Sequence, residues 1–245
     1  MSLWTVRPED GWQLDLDDLR RMLRPDTHAV VVNLPHNPTG FLPDAAFVHD
    51  LAALADRHGF LLFGDEVYRG LEQDAAAHLP ALRPDAAGAL AGRHVQDVRA
   101  GRAAHRLDRH PQPGDLRGHG ADEGLHHHLQ QRPANTWPNS RCAADTLVAR
   151  NLAIIHQNLG HLDAFFAEHA ARLTWVRPSA GPIAFPAFRH ADADAVARRL
   201  VEETGVLILP GDQIDPDFGR HFRLGFGRKS LADGLARFGP FLQTI

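Results

Sequence analysis

Cysteine is almost missing from this 245-residue chain. Cys142 stands alone, so no internal disulfide framework can hold the fold, and a reducing compartment is the expectation. Lysine is equally scarce: of 26 Lys and Arg residues, Lys229 is the one lysine. Long apolar runs are missing too, since none approaches the ~20 residues that cross a bilayer. Met1-Ser2-Leu3-Trp4-Thr5-Val6 has neither a basic stretch nor an extended apolar core, which predicts no signal peptide. A formal charge of −4 gives no reason to expect nucleic acid or an anionic membrane as partner. The expectation is a soluble, cytoplasmic protein.

What is present suffices for a core, with 44% hydrophobic residues. Residues 12–27 read as a short helical segment carrying Leu14, Leu16, Leu19, Met22 and Leu23. The run His28 to Leu34 is apolar and β-branched, which predicts a parallel strand buried on both faces. Asn37-Pro38-Thr39-Gly40 interrupts it with turn chemistry. Asp44 is the expected N-cap of a helix through Phe47, Val48, Leu51 and Leu54, ended by Gly59. Phe60 to Gly64 is the next buried strand, with Asp65-Glu66-Val67-Tyr68 following it. Both motifs thus fall at strand C-termini, where open α/β sheets bind their ligands.

Asn-Pro-Thr-Gly alone is a common turn, and an aspartate ending a strand is more often a cap than a ligand. The order and spacing of Asn37, Asp65, Tyr68 and Arg223, with matching elements between them, are more specific. Together they resemble the cofactor-contacting motifs of class I/II, fold-type-I aminotransferases that depend on pyridoxal 5′-phosphate (PLP). The resemblance implies an α/β fold of PLP-transferase type I: a truncated large parallel-sheet domain plus a small C-terminal α+β domain. It implies PLP as cofactor, amino acids and 2-oxo acids as substrates, and a homodimer in intact relatives. It further implies that Asp65 pairs with the pyridinium nitrogen and that Asn37 and Tyr68 hydrogen-bond the ring's phenolic oxygen. Arg223 would take the substrate α-carboxylate through its planar fork.

The chain departs from that family in two places. It starts downstream of the N-terminal arm and phosphate-binding segment, which predicts an N-terminal truncation. The lysine that would hold PLP as a Schiff base is also absent, so activity of this chain is expected to be impaired and its PLP binding weak. Where that lysine belongs, residues 83–142 carry seven Val, Ile, Leu, Phe or Met side chains among 60, against seven His and nine Arg. That lies below the ~20% Leu, Ile, Val and Phe content that marks disorder. A shifted reading frame accounts for it: codons for His94 through Ala100, read one nucleotide on, can encode Met-Ser-Lys-Thr-Tyr-Gly-Leu. Ala104 through Asp115 in the same frame can give Arg-Ile-Gly-Trp, the kind of arginine segment that grips the cofactor phosphate. A disordered insertion is the alternative. His126-His127-His128 is no metal site, because consecutive side chains cannot converge on one ion in ordinary backbone geometry.

Order is expected to return with a long helix from Thr146 to Ala171, then strands at 173–176 and 183–185, a helix at 191–204 and a strand at 206–209. A strand at Phe222–Phe226 and a helix from Leu231 to Leu242 complete a small domain. The division is therefore 1–82 as large-domain remnant, 83–142 as foreign segment, 143–170 as connecting helix and 171–245 as small domain. Lys229 is expected to face solvent. Amino-group transfer is the function implied, with two alternatives: a dead remnant that associates with an intact paralogue, or a related PLP lyase or synthase.

Overall fold

The computed structural model describes residues 1–74 and 77, strand backbone at 89–95 and 104–107, helix backbone from residue 140, and residues 146–245 in full. In the N-terminal part, α1 (Leu16–Met22) is capped by Asp15, whose side chain accepts from the Asp17 amide. A strand β1 (Ala29–Asn33) follows, then α2 (Ala45–His58) and a second strand β2 (Leu61–Asp65). Asp44 caps α2 by accepting from Phe47 N at 2.7 Å, and Gly59 ends it in the left-handed region at φ 72°. β1 and β2 pair in parallel with Asn33 opposite Asp65. This register brings the two motif-bearing strand ends side by side.

The sheet continues to β3 (Ala89–Val95), parallel to β2, and β4 (Ala104–Leu107), antiparallel to β3. These strands correct part of the expectation for 83–142, for which composition predicts no regular structure. The backbone groups along β2 need partners on their far side as well, and the small run Ala89-Leu90-Ala91-Gly92 provides a ladder for them. The remaining readings of that stretch, the His126-His127-His128 run included, lie outside the described residues. A second correction concerns β1. Val32 is 5% exposed, but Val31 is 70% exposed, and Leu61 of β2, opposite Ala29, is 47% exposed. One face of this strand pair is therefore closed by Leu19, Val48, Leu51, Leu54 and Phe60, while the other is open.

In the C-terminal part, α3 (Ser140–Glu168) starts earlier and stops sooner than periodicity indicates. Its apolar residues Ile155, Leu159, Leu162 and Phe166 pack on a core shared with α4 (Ala193–Thr204) and α5 (Leu231–Leu242). Two small antiparallel sheets complete it. One pairs β5 (Leu173–Thr174) with β7 (Ala187–Phe188), and the other runs in the order β6-β9-β8. In the latter, β6 is Ile183–Ala184, β8 is Leu209–Pro210 and β9 is Phe222–Gly225. The strand expected over 206–209 shrinks to its end, with Leu207 78% exposed. β7 is an element that sequence reading did not find. The two parts meet through Trp12, 1% exposed with φ 66°, whose ring packs against Phe185, Phe218 and His221.

Candidate active site

The site is built where the strand ends of β1 and β2 face β9. After β1 the chain turns through residues 34–41, with cis peptide bonds before Pro35 and Pro38. The turn closes on itself: His36 N donates to Phe41 O at 2.9 Å and Gly40 N donates to His36 O at 2.8 Å. Inside it, His36 Nδ1 lies 2.7 Å from the Thr39 hydroxyl, and Thr39 is 1% exposed. Burial pushes the His36 imidazole down to about 4, so it is neutral at ordinary pH. This closed turn holds Asn37.

Asp65, the last residue of β2, accepts from Val67 N at 3.1 Å through Oδ1. That bond starts the turn that presents Tyr68. The neighbouring side chains Glu66 and Arg69 form a bidentate pair, with Arg69 Nε at 2.7 Å from Oε2 and Nη2 at 2.5 Å from Oε1. Burial pushes the Tyr68 phenol above its ordinary range, the Arg223 guanidinium pulls it down, and the Asp65 carboxylate pushes it up. The phenol therefore senses both charges.

Arg223 comes from β9, and its Nη1 donates to Asn37 Oδ1 at 3.4 Å. All four sequence-predicted residues are thus brought together. Lys229, by contrast, is exposed past the end of β9. The loop 178–181 clamps the assembly: Ser179 N and Ala180 N both donate to Gly40 O, at 2.8 and 3.0 Å. A Cβ on Gly40, at φ 71°, would lie 2.3 Å from Pro178 Cβ. Gly181 lies against the Tyr68 ring, where an added Cβ would stand 3.3 Å from Cγ. Gln73 completes the clamp, its amide donating to Gly181 O at 3.0 Å and its backbone N–H to Ser179 O at 2.9 Å.

Sequence reasoning missed two contributors. Asn33 accepts from Asn37 N at 2.6 Å and donates to Asp65 O at 3.1 Å. The loop 178–181 reads in sequence only as a turn between strands, and its glycine was the available signal.

A carboxylate at a strand end, a phenol, a carboxamide and a guanidinium fit the ring and the substrate-carboxylate end of a PLP complex. Residues 1–94 match the family model for aminotransferase class I and II. The chain is similar to capreomycidine synthase of Streptomyces vinaceus, at 29% identity over 98% of this chain and 62% of that protein. A probable N-succinyldiaminopimelate aminotransferase of Mycobacterium tuberculosis is 43% identical over 70 residues, 29% of this chain and 18% of that one. The chain thus spans about three-fifths or less of the length of these curated relatives. Among solved structures, a PLP-dependent aminotransferase from Streptococcus suis matches with TM-score 0.75 and 23% identity, over 99% of this chain and 64% of that one. An aromatic aminotransferase from Pyrococcus horikoshii matches with TM-score 0.76 and 17% identity, over 98% and 66%. The likeness to the aminotransferase class I and II family model thus lies in residues 1–94, and the chain as a whole has the fold of the PLP-dependent aminotransferases.

Proposed function

We propose that this chain carries the ring-holding and carboxylate-holding half of a PLP-dependent aminotransferase site, and that its parent activity is amino-group transfer between an amino acid and a 2-oxo acid. The observation that supports this most is the Arg223–Asn37 contact at 3.4 Å. It joins a cation from the C-terminal part to a carboxamide from the N-terminal part, beside Tyr68 and Asp65.

PLP, when bound, supplies an electron sink for the substrate's α-carbon. The side chains divide the remaining work. Asp65 would pair with the ring nitrogen and hold its proton there. The Asn37 carboxamide, its oxygen turned to Arg223, has its nitrogen free in role to donate to the ring's phenolic oxygen, and Tyr68 donates to the same atom. Arg223 binds the amino-acid carboxylate with two parallel N–H donors. The proton transfer at the α-carbon needs a base, and the single lysine lies away from this group, so the chain as given is expected not to transaminate. A homodimer through the large domain and a cytoplasmic location complete the reading. No helix among the described residues is long and apolar enough to cross a membrane, and none of them forms a cluster of three or more potential metal ligands.

The likeness to capreomycidine synthase over nearly the whole chain favours a second reading, a PLP-dependent synthase or lyase, because the same four residues serve elimination and cyclisation. A PLP titration tests the common part. Asp65→Ala and Tyr68→Phe should each weaken binding at least tenfold, about 1.4 kcal/mol. Arg223→Gln should leave PLP binding nearly intact, since Arg223 serves the substrate carboxylate and not the ring. PLP affinity indifferent to Asp65→Ala would sink both readings, and product analysis of an active relative carrying these residues separates them.

A further inference from the structure

The turn that carries Asn37 and the strand end that carries Asp65 are separate pieces of chain, and one side chain bonds to both. Asn33 is the last residue of β1, opposite Asp65 in the ladder. The backbone already makes one bond there, Leu34 N to Asp65 O at 2.9 Å. The Asn33 Nδ2 adds a second donor to the same carbonyl at 3.1 Å. Its Oδ1 faces the other way and accepts the Asn37 N–H at 2.6 Å. One planar carboxamide therefore spans β2 and the turn, with its donor on one and its acceptor on the other.

That arrangement is demanding. A carboxylate of the same shape offers no donor for the Asp65 carbonyl. Serine or threonine is too short to reach both partners, and glutamine adds a methylene that displaces both bonds. The turn is closed on itself by His36 and its bonds to Phe41 and Gly40, so it moves as a unit. What fixes that unit against β2 on this side is the Leu34 N–H together with the Asn33 carboxamide, and Asn33 alone reaches Asn37 itself. On the other side, Gly40 O is held by Ser179 and Ala180.

We propose that Asn33 is a positioning residue: its carboxamide sets the separation between Asn37, with Arg223 beside it, and the Asp65–Tyr68 pair. Its bonds are to the backbone of Asn37 and Asp65 rather than to their side chains, and it acts through those two residues. Its consequence for cofactor rests on the PLP reading above, whereas its geometry does not.

The test uses the full chain and the variants Asn33→Leu and Asn33→Ala, the second being smaller and more tolerant should the first not fold. Tyr68 is the single tyrosine of the chain, so its phenol can be titrated by absorbance without any cofactor. A loosened turn admits water to a phenol whose strongest perturbation is burial. The midpoint should therefore fall toward the ordinary value of 10.0. A lower midpoint than in the parent is expected, with far-UV circular dichroism unchanged. An unmoved midpoint in either folded variant overturns the proposal. The second readout is a double-mutant cycle on PLP binding. Asn33→Ala should weaken PLP about tenfold in the parent and less than about threefold in the Asn37→Ala background, since residues acting as one unit are not additive. Equal losses in both backgrounds overturn it. If the parent binds no PLP, that counts against the cofactor reading, and the Tyr68 titration decides this one.

Discussion

The N-terminal and C-terminal parts of this molecule are finished to different degrees. Among the described residues, the C-terminal cluster brings together 21 buried apolar residues, from Ile155 to Leu242, whereas the N-terminal cluster has nine. The C-terminal core is walled by helices and two small sheets. The N-terminal sheet has helices on one face and leaves Val31 and Leu61 in water on the other. Yet the half-covered part supplies three of the four site residues, Asn37, Asp65 and Tyr68. The lesson is that site geometry here depends on local ties (Asn33, the closed turn, the 178–181 loop) more than on the extent of the core behind it.

Large-to-small changes separate the two parts most sharply. Phe222→Ala, at a fully buried ring stacked on Phe188, should cost about 3–5 kcal/mol by chemical denaturation. If the parts are unequal, residues 146–245 should resist protease longer than the N-terminal part in the parent and lose that resistance in the variant. Uniform resistance along the parent chain would break the comparison.

Gly40→Ala attacks the seam. A positive φ costs about 1–2 kcal/mol for an L-residue, and overpacking against Pro178 adds about 1–3 kcal/mol. The loss should appear as two separated unfolding transitions in place of one; a single transition at the parental midpoint would show that the loop clamp does not couple the parts.

The pH dependence sharpens the comparison in the N-terminal part. His36 is held neutral in the fold with its value lowered to about 4 from 6.5. Below 6.5 the unfolded chain takes up a proton that the folded chain refuses, so stability falls as pH drops and the loss is complete near 4. The ceiling is about 3 kcal/mol. His36→Asn should flatten that slope, and an unchanged slope would show that His36 is not the group responsible. Smallest in effect, Asp44→Ala should remove the α2 cap for about 1 kcal/mol, read as a lowered denaturation midpoint of the N-terminal part alone.

Much of this was legible in the sequence because its signals are local. Asp44 and Gly59 bracket α2 through capping chemistry, and the apolar runs before Asn37 and Asp65 mark two strands. Leu231 to Leu242 shows its helix by period alone. The open face of β1 was not legible, since Val30-Val31-Val32 looks the same whether one face or two are covered, and cover comes from distant chain. Asn33 escaped for a similar reason: an asparagine ending a strand gives no local sign that its amide reaches Asp65, 32 residues on. The 83–142 segment divides further. The family match ends at residue 94, where the shifted-frame reading starts, and we propose the frame shift as its origin. Sequencing the gene tests it: no frame encoding a Ser-Lys and an Arg-x-Gly-Trp run there would end the idea.

That both parts build one site is the central claim, and Tyr68 reports it directly. Its phenol lies in the N-terminal part, and the cation that lowers its titration, Arg223, lies on β9 of the C-terminal part. Removing that cation in Arg223→Gln should raise the absorbance-titration midpoint of Tyr68 in the folded, cofactor-free chain, above a parental value that is itself above 10.0. A midpoint that stays at the parental value, with the circular dichroism of the fold intact, would mean that Arg223 does not stand beside Tyr68 and that the two parts do not share a site.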